Sequence, residues 1–204
     1  MSMKAAEARK RLKELSVPYS KELGIDVRTP SGRTRWFLAA ILFAAPIRAE
    51  SAIKTYKTFE KAGVVTPRRI LDAGWDRLVE LLDAGGYTRY DFKTADKLLE
   101  VMSNLLERYG SVDGINRGAR DARDLEARLK GLGKGVGEAA VNIFLRELRH
   151  VWKKADPAVR PEATKLAKRL KISLSKNRHS AAFVRLEAGL TRLAIELRRK
   201  SMGR

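Results

Sequence analysis

Four glycines at every second position constrain the fold of this chain more than any other feature. They are Gly131, Gly133, Gly135 and Gly137. The segment that ends at Lys130 and the segment that begins at Val136 both carry apolar residues at helical spacing. Because glycine adopts a positive φ without steric cost, this run predicts a tight hairpin between two helices.

A hairpin of this kind exposes backbone N–H groups just before the N-terminus of a helix, which is a ready site for an anion. We expect that anion to be a phosphate of DNA. The alternative is an ordinary turn between helices, which rarely needs four glycines. The residues predicted to contact DNA at the hairpin are Lys130, Gly131, Gly133, Lys134, Gly135 and Gly137.

The net charge narrows the class of partner. The 204 residues include 43 Lys and Arg against 24 Asp and Glu, a net charge of +19. Residues 146–204 alone hold 17 basic and 5 acidic side chains, which gives +12. Such a surface attracts polyanions, and nucleic acid is the leading candidate, although an anionic membrane surface or a place in the ribosome would give the same charge. The C-terminal cations predicted to contact backbone phosphates are Lys165, Lys168, Arg169, Lys171, Lys176 and Arg178.

The composition excludes several classes of site. The chain has no Cys, which excludes disulfides, thiolate nucleophiles, zinc–thiolate sites and iron–sulfur clusters. The only histidines are His150 and His179, so we expect no metal site and no cofactor. The most apolar run, 37–47, is far shorter than the roughly 20 residues needed to span a bilayer. We therefore expect a cytoplasmic, nucleoid-associated monomer that does not contact a membrane.

Helical periodicity covers nearly the whole chain, and no stretch alternates like a strand for long. Thr66 is predicted to cap a helix that begins at Pro67. We expect the second hairpin helix to be broken at Asp156-Pro157, and we expect 111–120 to be a loop. The other predicted helices are 5–15, 33–45, 47–62, 68–73, 76–83, 92–109, 123–130, 161–170 and 181–200. The predicted fold class is therefore all-α.

The hairpin and an aspartate beyond it resemble the helix-hairpin-helix (HhH-GPD) DNA glycosylases of the endonuclease III superfamily. The hairpin of that family has the pattern L-P-G-V-G followed by a basic residue, and here 129–137 is LKGLGKGVG, with Lys130 where proline is usual. The family then places a catalytic aspartate just before another helix, and Asp156 occupies that place. Weaker similarities are FLAAIL at 37–42, and GGY at 85–87 with KTA at 93–95.

The resemblance implies a two-lobed helical fold with a cleft between the lobes. Residues 33–144 would form a six-helix lobe ending in the hairpin, and 1–32 with 145–204 would form the second lobe. The implied activity is that of a DNA glycosylase, which flips a damaged or modified base out of double-stranded DNA and excises it in base excision repair.

The implied role of Asp156 agrees with the chemistry of the reaction. Breaking an N-glycosidic bond builds positive charge on the deoxyribose, and a fixed carboxylate can stabilise that charge or orient a water molecule. The alternative is that Asp156 is a helix cap or turn residue before Pro157.

Two departures from the family pattern matter. Bifunctional members carry a lysine two places after the second hairpin glycine, and Gly135 stands there, so we expect hydrolysis without strand cleavage. A shifted lysine, Lys134 or Lys153, is the alternative. Where a glutamine often fills the gap left by the base, this chain has Ala45, and Arg48 is the nearest polar candidate.

Rotating a base out of the duplex costs a few kcal/mol, which side chains that fill the hole offset. Tyr87, Arg89 and Tyr90 follow two glycines and are candidates for this wedge, although either tyrosine could instead lie in the core. Trp152 is the best candidate to border a base pocket, because it lies near Asp156 in the sequence.

Two other functions stay open. The chain could be a non-catalytic helix-hairpin-helix protein that binds DNA or RNA, or a ribosomal or RNA-associated helical protein. Asp156 discriminates between the glycosylase and the binding protein, because a binding module gains nothing from a carboxylate beside a polyanion. The base is also undetermined: alkylated purines, mismatched thymine or uracil, oxidised purines and bulky pyrimidines are all compatible with the sequence.

Overall fold

The computed structural model describes residues 5–174, 177–201 and 203. These residues form eleven α-helices and no strand, which confirms the predicted all-α class. The helices are α1 (Ala5–Leu15), α2 (Tyr19–Glu22), α3 (Pro30–Phe43), α4 (Ala49–Lys61), α5 (Pro67–Gly85), α6 (Asp91–Tyr109), α7 (Val112–Gly118), α8 (Ala122–Lys130), α9 (Glu138–Leu148), α10 (Pro161–Arg169) and α11 (Ala181–Ser201).

Most helix boundaries follow the local signals in the sequence. Thr66 caps α5 as predicted, because its side chain accepts a hydrogen bond from the backbone N–H of Arg69 at 3.3 Å, and Pro67 is the first helical residue. The two short helices predicted after it are the two halves of α5. They meet at Gly74, whose backbone (φ 71°, ψ 175°) is not helical.

The prediction of a loop at 111–120 is wrong, because α7 lies there. Its N-cap is Ser111, whose hydroxyl accepts from the N–H of Gly114 at 3.1 Å. Glycines inside the segment lower its intrinsic helix propensity, but Val112 and Ile115 are fully buried. Tertiary packing therefore overrides local propensity here.

The chain divides into two compact units. The hairpin unit is Ile25–Leu145, and the terminal unit comprises the described residues of Met1–Gly24 and Arg146–Arg204. The hairpin unit begins before residue 33, since Ile25 and Val27 are buried and the carbonyl of Val27 accepts a hydrogen bond from Arg33 at 3.1 Å.

The hairpin unit is built around α3, whose residues from Trp36 to Leu42 are all buried. A helix that is apolar on every side belongs in the centre of a core. The indole of Trp36 donates to the carbonyl of Phe144 at 3.2 Å, and Phe37 packs edge-on against the ring of Phe144. In the first turn of α3, the guanidinium of Arg33 binds both carboxylate oxygens of Asp113, at 2.6 and 3.1 Å.

The terminal unit has its own core between α1, α10 and α11. Its fully or nearly fully buried members are Ala8, Leu12, Ala163, Leu166, Ala167, Leu170, Leu190 and Leu193. A buried carboxylate, Glu147, accepts from the backbone N–H groups of Tyr19 and Ser20, both at 3.0 Å, and so holds the start of α2. Neither unit contains, among its described helices, one that is long and apolar enough to cross a membrane.

Candidate functional site

The predicted glycine hairpin is present between α8 and α9. The N–H of Leu132 closes a turn on Leu129 at 3.2 Å, and the N–H of Val136 closes another on Gly133 at 3.0 Å. Gly133 has φ +146°, a conformation that is essentially restricted to glycine. The predicted reversal between the two helices is therefore present, and Gly133 is the one of its four glycines that has a positive φ.

Several backbone N–H groups of the hairpin remain open for an anion. Within the described residues, the N–H groups of Gly135 and Gly137 have no hydrogen-bond acceptor. The N–H of Lys134 donates to Oε2 of Glu100 at 3.3 Å, so one hairpin amide already binds an anionic oxygen. Among the predicted DNA contacts, the ammonium of Lys130 pairs with the carboxylate of Glu138, and the side chain of Lys134 is exposed.

Gly135 packs closely against α6, so that a side chain here would require its neighbours to shift by a few tenths of an ångström. A Cβ at this position would lie 3.0 Å from Cβ of Lys97 and 3.2 Å from Cγ2 of Val101. The absence of the family lysine is thus accompanied by a close contact between the hairpin backbone and α6.

A cavity of about 590 Å³ lies beside the hairpin, inside the hairpin unit. Two hairpin glycines, Gly135 and Gly137, and the loop residues Ala45 and Pro46 contribute to its lining. The lining contains no carboxylate, and its cations are Arg89, Lys93, Lys97 and Lys134. The cavity therefore offers a positively charged environment next to the open amides.

The structure separates the three wedge candidates. Arg89 is exposed and Tyr90 is half-buried, and both line the cavity. Tyr87 is only 1 % exposed, and its hydroxyl donates to the carbonyl of Leu42. The wedge prediction is wrong for Tyr87, because a ring buried in the core with its phenol bonded there forms part of the cavity wall instead. Burial also raises the pKa of Tyr87, so the phenol stays protonated as a donor.

The two remaining candidates for the base-flipping machinery lie elsewhere. Arg48 is exposed at the N-cap of α4 and is not part of the cavity lining, whereas its neighbour Ala45 is. Trp152 is buried in the terminal unit, close in sequence to Asp156. A role for either residue toward a flipped base stays a prediction.

Asp156 lies in the terminal unit, in the segment between α9 and α10. The cap of α10 is Arg160, so the alternative that Asp156 caps this helix is wrong. Its Oδ1 pairs with Nη1 of Arg149 and lies 2.9 Å from Nη2 of Arg178. Its Oδ2 receives no hydrogen bond from the described residues, and the side chain is 35 % exposed. One oxygen is therefore bound by two guanidinium groups, and the other can accept a further hydrogen bond.

Arg149 is a functional candidate that the sequence analysis missed. Its side chain is fully buried. It donates from Nε to Oε2 of Glu187 at 2.7 Å and from Nη2 to Oε1 of Glu187 at 3.0 Å. No local signal in the sequence marks Arg149, which follows the last residue of α9 and is paired with a residue of α11.

The predicted phosphate contacts of the C-terminal segment fall into two groups. Lys165, Lys168 and Arg169 are exposed, on the side of α10 opposite to buried Leu166 and Leu170. This is the arrangement expected of an amphipathic helix with a solvated basic face.

Arg178 differs, because it pairs with Asp156 and also donates to the carbonyl of Pro157 at 2.9 Å. Lys171 is exposed, and Lys176 lies outside the described residues. No group of three or more His, Asp or Glu side chains in the described part of the chain is arranged to hold a metal ion.

Comparison with known proteins identifies the fold. No family model and no curated protein sequence matches the chain. The chain is similar to the crystal structure of H. pylori 3-methyladenine DNA glycosylase (MagIII) bound to 1,N6-ethenoadenine, with a TM-score of 0.56 and 15 % sequence identity. The match covers 94 % of this chain and 98 % of that chain. The chain therefore has the all-α fold of this solved structure.

Proposed function

We propose that this protein is a DNA glycosylase that hydrolyses the N-glycosidic bond of a damaged or modified base in base excision repair. The observation that carries the proposal is the state of Asp156, with Oδ1 bound by two guanidinium groups and Oδ2 open. The glycosylase fold and the glycine hairpin support it. The chain has a net charge of +19, and a protein that only binds a polyanion would gain nothing from a carboxylate that two arginines hold in place.

The geometry of Asp156 suits the charge that develops during base excision. As the bond to the base lengthens, the deoxyribose becomes an oxocarbenium-like cation. The free Oδ2 would face this cation or orient the attacking water, and the fixed Oδ1 would limit the reorganisation needed at that moment. The base leaves, and an abasic site remains.

Affinity for double-stranded DNA would come from two basic surfaces. At the hairpin, the open N–H groups of Gly135 and Gly137 and the N-terminus of α9 would receive a backbone phosphate. In the terminal unit, Lys165, Lys168 and Arg169 would contact phosphates without reading sequence. Binding of this kind weakens steeply as salt increases.

The cavity beside the hairpin would receive part of the opened duplex. Arg89 and Tyr90 line it and are the proposed side chains that offset the cost of unstacking.

We also propose that the enzyme acts as a monomer on DNA of the nucleoid and has no lyase activity. The last point is supported by Gly135, which has no amine and stands where bifunctional glycosylases carry a lysine, in close contact with Lys97 and Val101.

The test is the release of free bases from DNA. Wild-type protein and Asp156→Asn would be incubated with duplexes that carry alkylated, deaminated, oxidised or mismatched bases, and released bases would be identified by mass spectrometry. We expect release by the wild type and release about 10²–10³-fold slower by the variant, with the Kd for DNA unchanged within about twofold, since a neutral amide stabilises the cation poorly.

The matched control is Asp113→Asn, which makes the same change in another Asp–Arg ion pair, that of Asp113 with Arg33. This variant should lose stability but still release the base. If the wild type binds DNA tightly but releases no base from any duplex, the non-catalytic binding protein replaces the glycosylase as the proposed function.

A further inference from the structure

Asp156 belongs to a cluster of four alternating charges in the terminal unit. Arg149 lies between the carboxylates of Asp156 and Glu187, and Arg178 approaches Asp156 from another direction. We infer that Arg149, held by Glu187, is a positioning residue that fixes Asp156 for base excision. This inference rests on the proposed function.

Arg149 has the geometry of a fixed anchor. Its guanidinium forms two hydrogen bonds with the carboxylate of Glu187, and Nη2 also donates to the carbonyl of Pro157 at 2.6 Å. The remaining terminal nitrogen, Nη1, binds Asp156. The same planar group therefore holds the aspartate side chain and the backbone of the next residue, which a lysine ammonium cannot do.

Burial makes the anchor rigid. The side chain of Arg149 is fully buried and that of Glu187 is 2 % exposed. The ring of Phe183 lies 5.4 Å from the guanidinium carbon of Arg149. Because both side chains are buried, removing either one would leave the other as an unpaired charge away from water. Such a change costs a large part of the free energy of folding. The anchor is thus set by the fold.

Glu187 also determines the charge that Asp156 experiences. An arginine that stood alone beside Asp156 would oppose the positive charge that forms on the sugar, since both are cations. Glu187 neutralises Arg149, so the contact orients Oδ1 at little electrostatic cost to a cationic transition state. Arg178 is one-third exposed, and water screens its charge. The buried pair therefore orients Asp156, and Glu187 preserves its ability to stabilise a cation.

The inference predicts different effects for two substitutions. Arg149→Lys keeps the charge but cannot bind Glu187, Asp156 and Pro157 together, so the single-turnover rate of base release should fall by about 100-fold, as expected when a reacting group is misplaced. Glu187→Gln keeps an acceptor oxygen but leaves Asp156 as the one carboxylate paired with Arg149, so the rate should fall by about tenfold. In both variants the Kd for DNA should change by less than about twofold, because neither residue is exposed.

The matched control is Arg33→Lys, which makes the same change in the pair that buried Arg33 forms with half-buried Asp113 in the hairpin unit. Thermal unfolding of all variants is measured, and rates are compared at a temperature where each is folded. Arg33→Lys should be destabilised but retain the wild-type rate. If Arg149→Lys does not fold, Glu187→Gln carries the test.

A double-mutant cycle separates positioning from general structural support. If Arg149 acts through Asp156, adding Arg149→Lys to Asp156→Asn should not lower the residual rate further. A further loss of the full 100-fold would overturn the inference, as would an Arg149→Lys or Glu187→Gln variant that excises at the wild-type rate. Failure of the proposed function gives a different result, since the wild type itself would then release no base.

Discussion

The carboxylate of Glu100 accepts a hydrogen bond from the backbone N–H of Lys134, with 3.3 Å between Oε2 and the nitrogen. Glu100 belongs to α6 and Lys134 to the turn between α8 and α9. An acidic side chain thus lies on the hairpin that is proposed to bind a DNA phosphate. The two anions would compete for the same region, because both need its N–H donors and repel each other.

Replacing Glu100 by Gln should therefore strengthen DNA binding. The amide keeps an acceptor oxygen but removes one negative charge from the hairpin, so we expect Kd to fall by about two- to fivefold at low salt, from a change of about 0.5–1 kcal/mol. Fluorescence anisotropy with a labelled duplex would measure it. Glu107→Gln removes the same charge from an exposed position of α6, where Glu107 accepts from Ser103, and should change Kd less. Equal effects of the two substitutions would mean that only net charge matters.

Gly133→Ala should destabilise the protein and weaken DNA binding. At φ +146° an alanine is strained by about 1–3 kcal/mol, and its Cβ would lie 2.7 Å from Cδ of Glu100. Urea unfolding and DNA binding would both be measured. Gly137→Ala is the control in the same hairpin, because no atom lies within 4 Å of a Cβ there, and it should cost under about 1 kcal/mol. A Gly133→Ala variant as stable as wild type would contradict the observed backbone at this position.

Local patterns in the sequence were sufficient to predict most of the helices and the hairpin. The cap at Thr66 and the glycine run depend on neighbours in the chain, so their structural consequences can be derived from the sequence. The helix α7 was missed because its stability comes from burial of Val112 and Ile115 rather than from propensity. The sequence also does not show whether an aromatic residue after two glycines is buried or exposed. Tyr87 is buried.

Local sequence patterns could not predict which side chains surround the candidate catalytic residue. Asp156 was found by its similarity to a family position, but its partner Arg149 is paired with Glu187, which is 38 residues away in the chain. The contact between Glu100 and Lys134 spans 34 residues. Charged residues of a strongly basic chain all resemble solvent-exposed ones in the sequence, and only tertiary packing distinguishes a buried anchor from a phosphate contact.

Introducing the missing lysine at Gly135 should not create a lyase. A Cβ at this position would lie 3.0 Å from Cβ of Lys97, so Gly135→Lys should cost about 1–3 kcal/mol in stability from overpacking. Borohydride trapping on DNA carrying the substrate base should give no covalent adduct with the wild type or the variant. Ala139→Lys adds a lysine to the lining of the same cavity and is the control for added charge. A trapped adduct from a fully stable Gly135→Lys protein would show that the hairpin has room for the lysine.

The stability of the protein should respond to pH through Glu147 and Glu196 in opposite directions. Burial raises the pKa of Glu147 more than the charge of Arg146 and the hydrogen bonds from Ser20 and Tyr19 lower it. Burial also raises the pKa of Glu196, but the ion pairs with Lys200 and Arg11 lower it by more. The pKa of Glu196 therefore lies below its ordinary value.

A raised pKa in the folded state means that the stabilising contribution of Glu147 is complete below the pKa of the unfolded chain, about 4.3, and is lost as pH rises through the folded value. The free energy of unfolding of the wild type, relative to Glu147→Gln, should therefore decrease from about pH 4 to pH 8. Relative to Glu196→Gln it should instead decrease as pH falls below about 5, because a lowered pKa contributes stability only while the carboxylate is charged. Urea unfolding at a series of pH values measures both differences, and a wild-type advantage over Glu147→Gln that grew with pH would mean that the bonds from Tyr19 and Ser20 outweigh the burial of the charge.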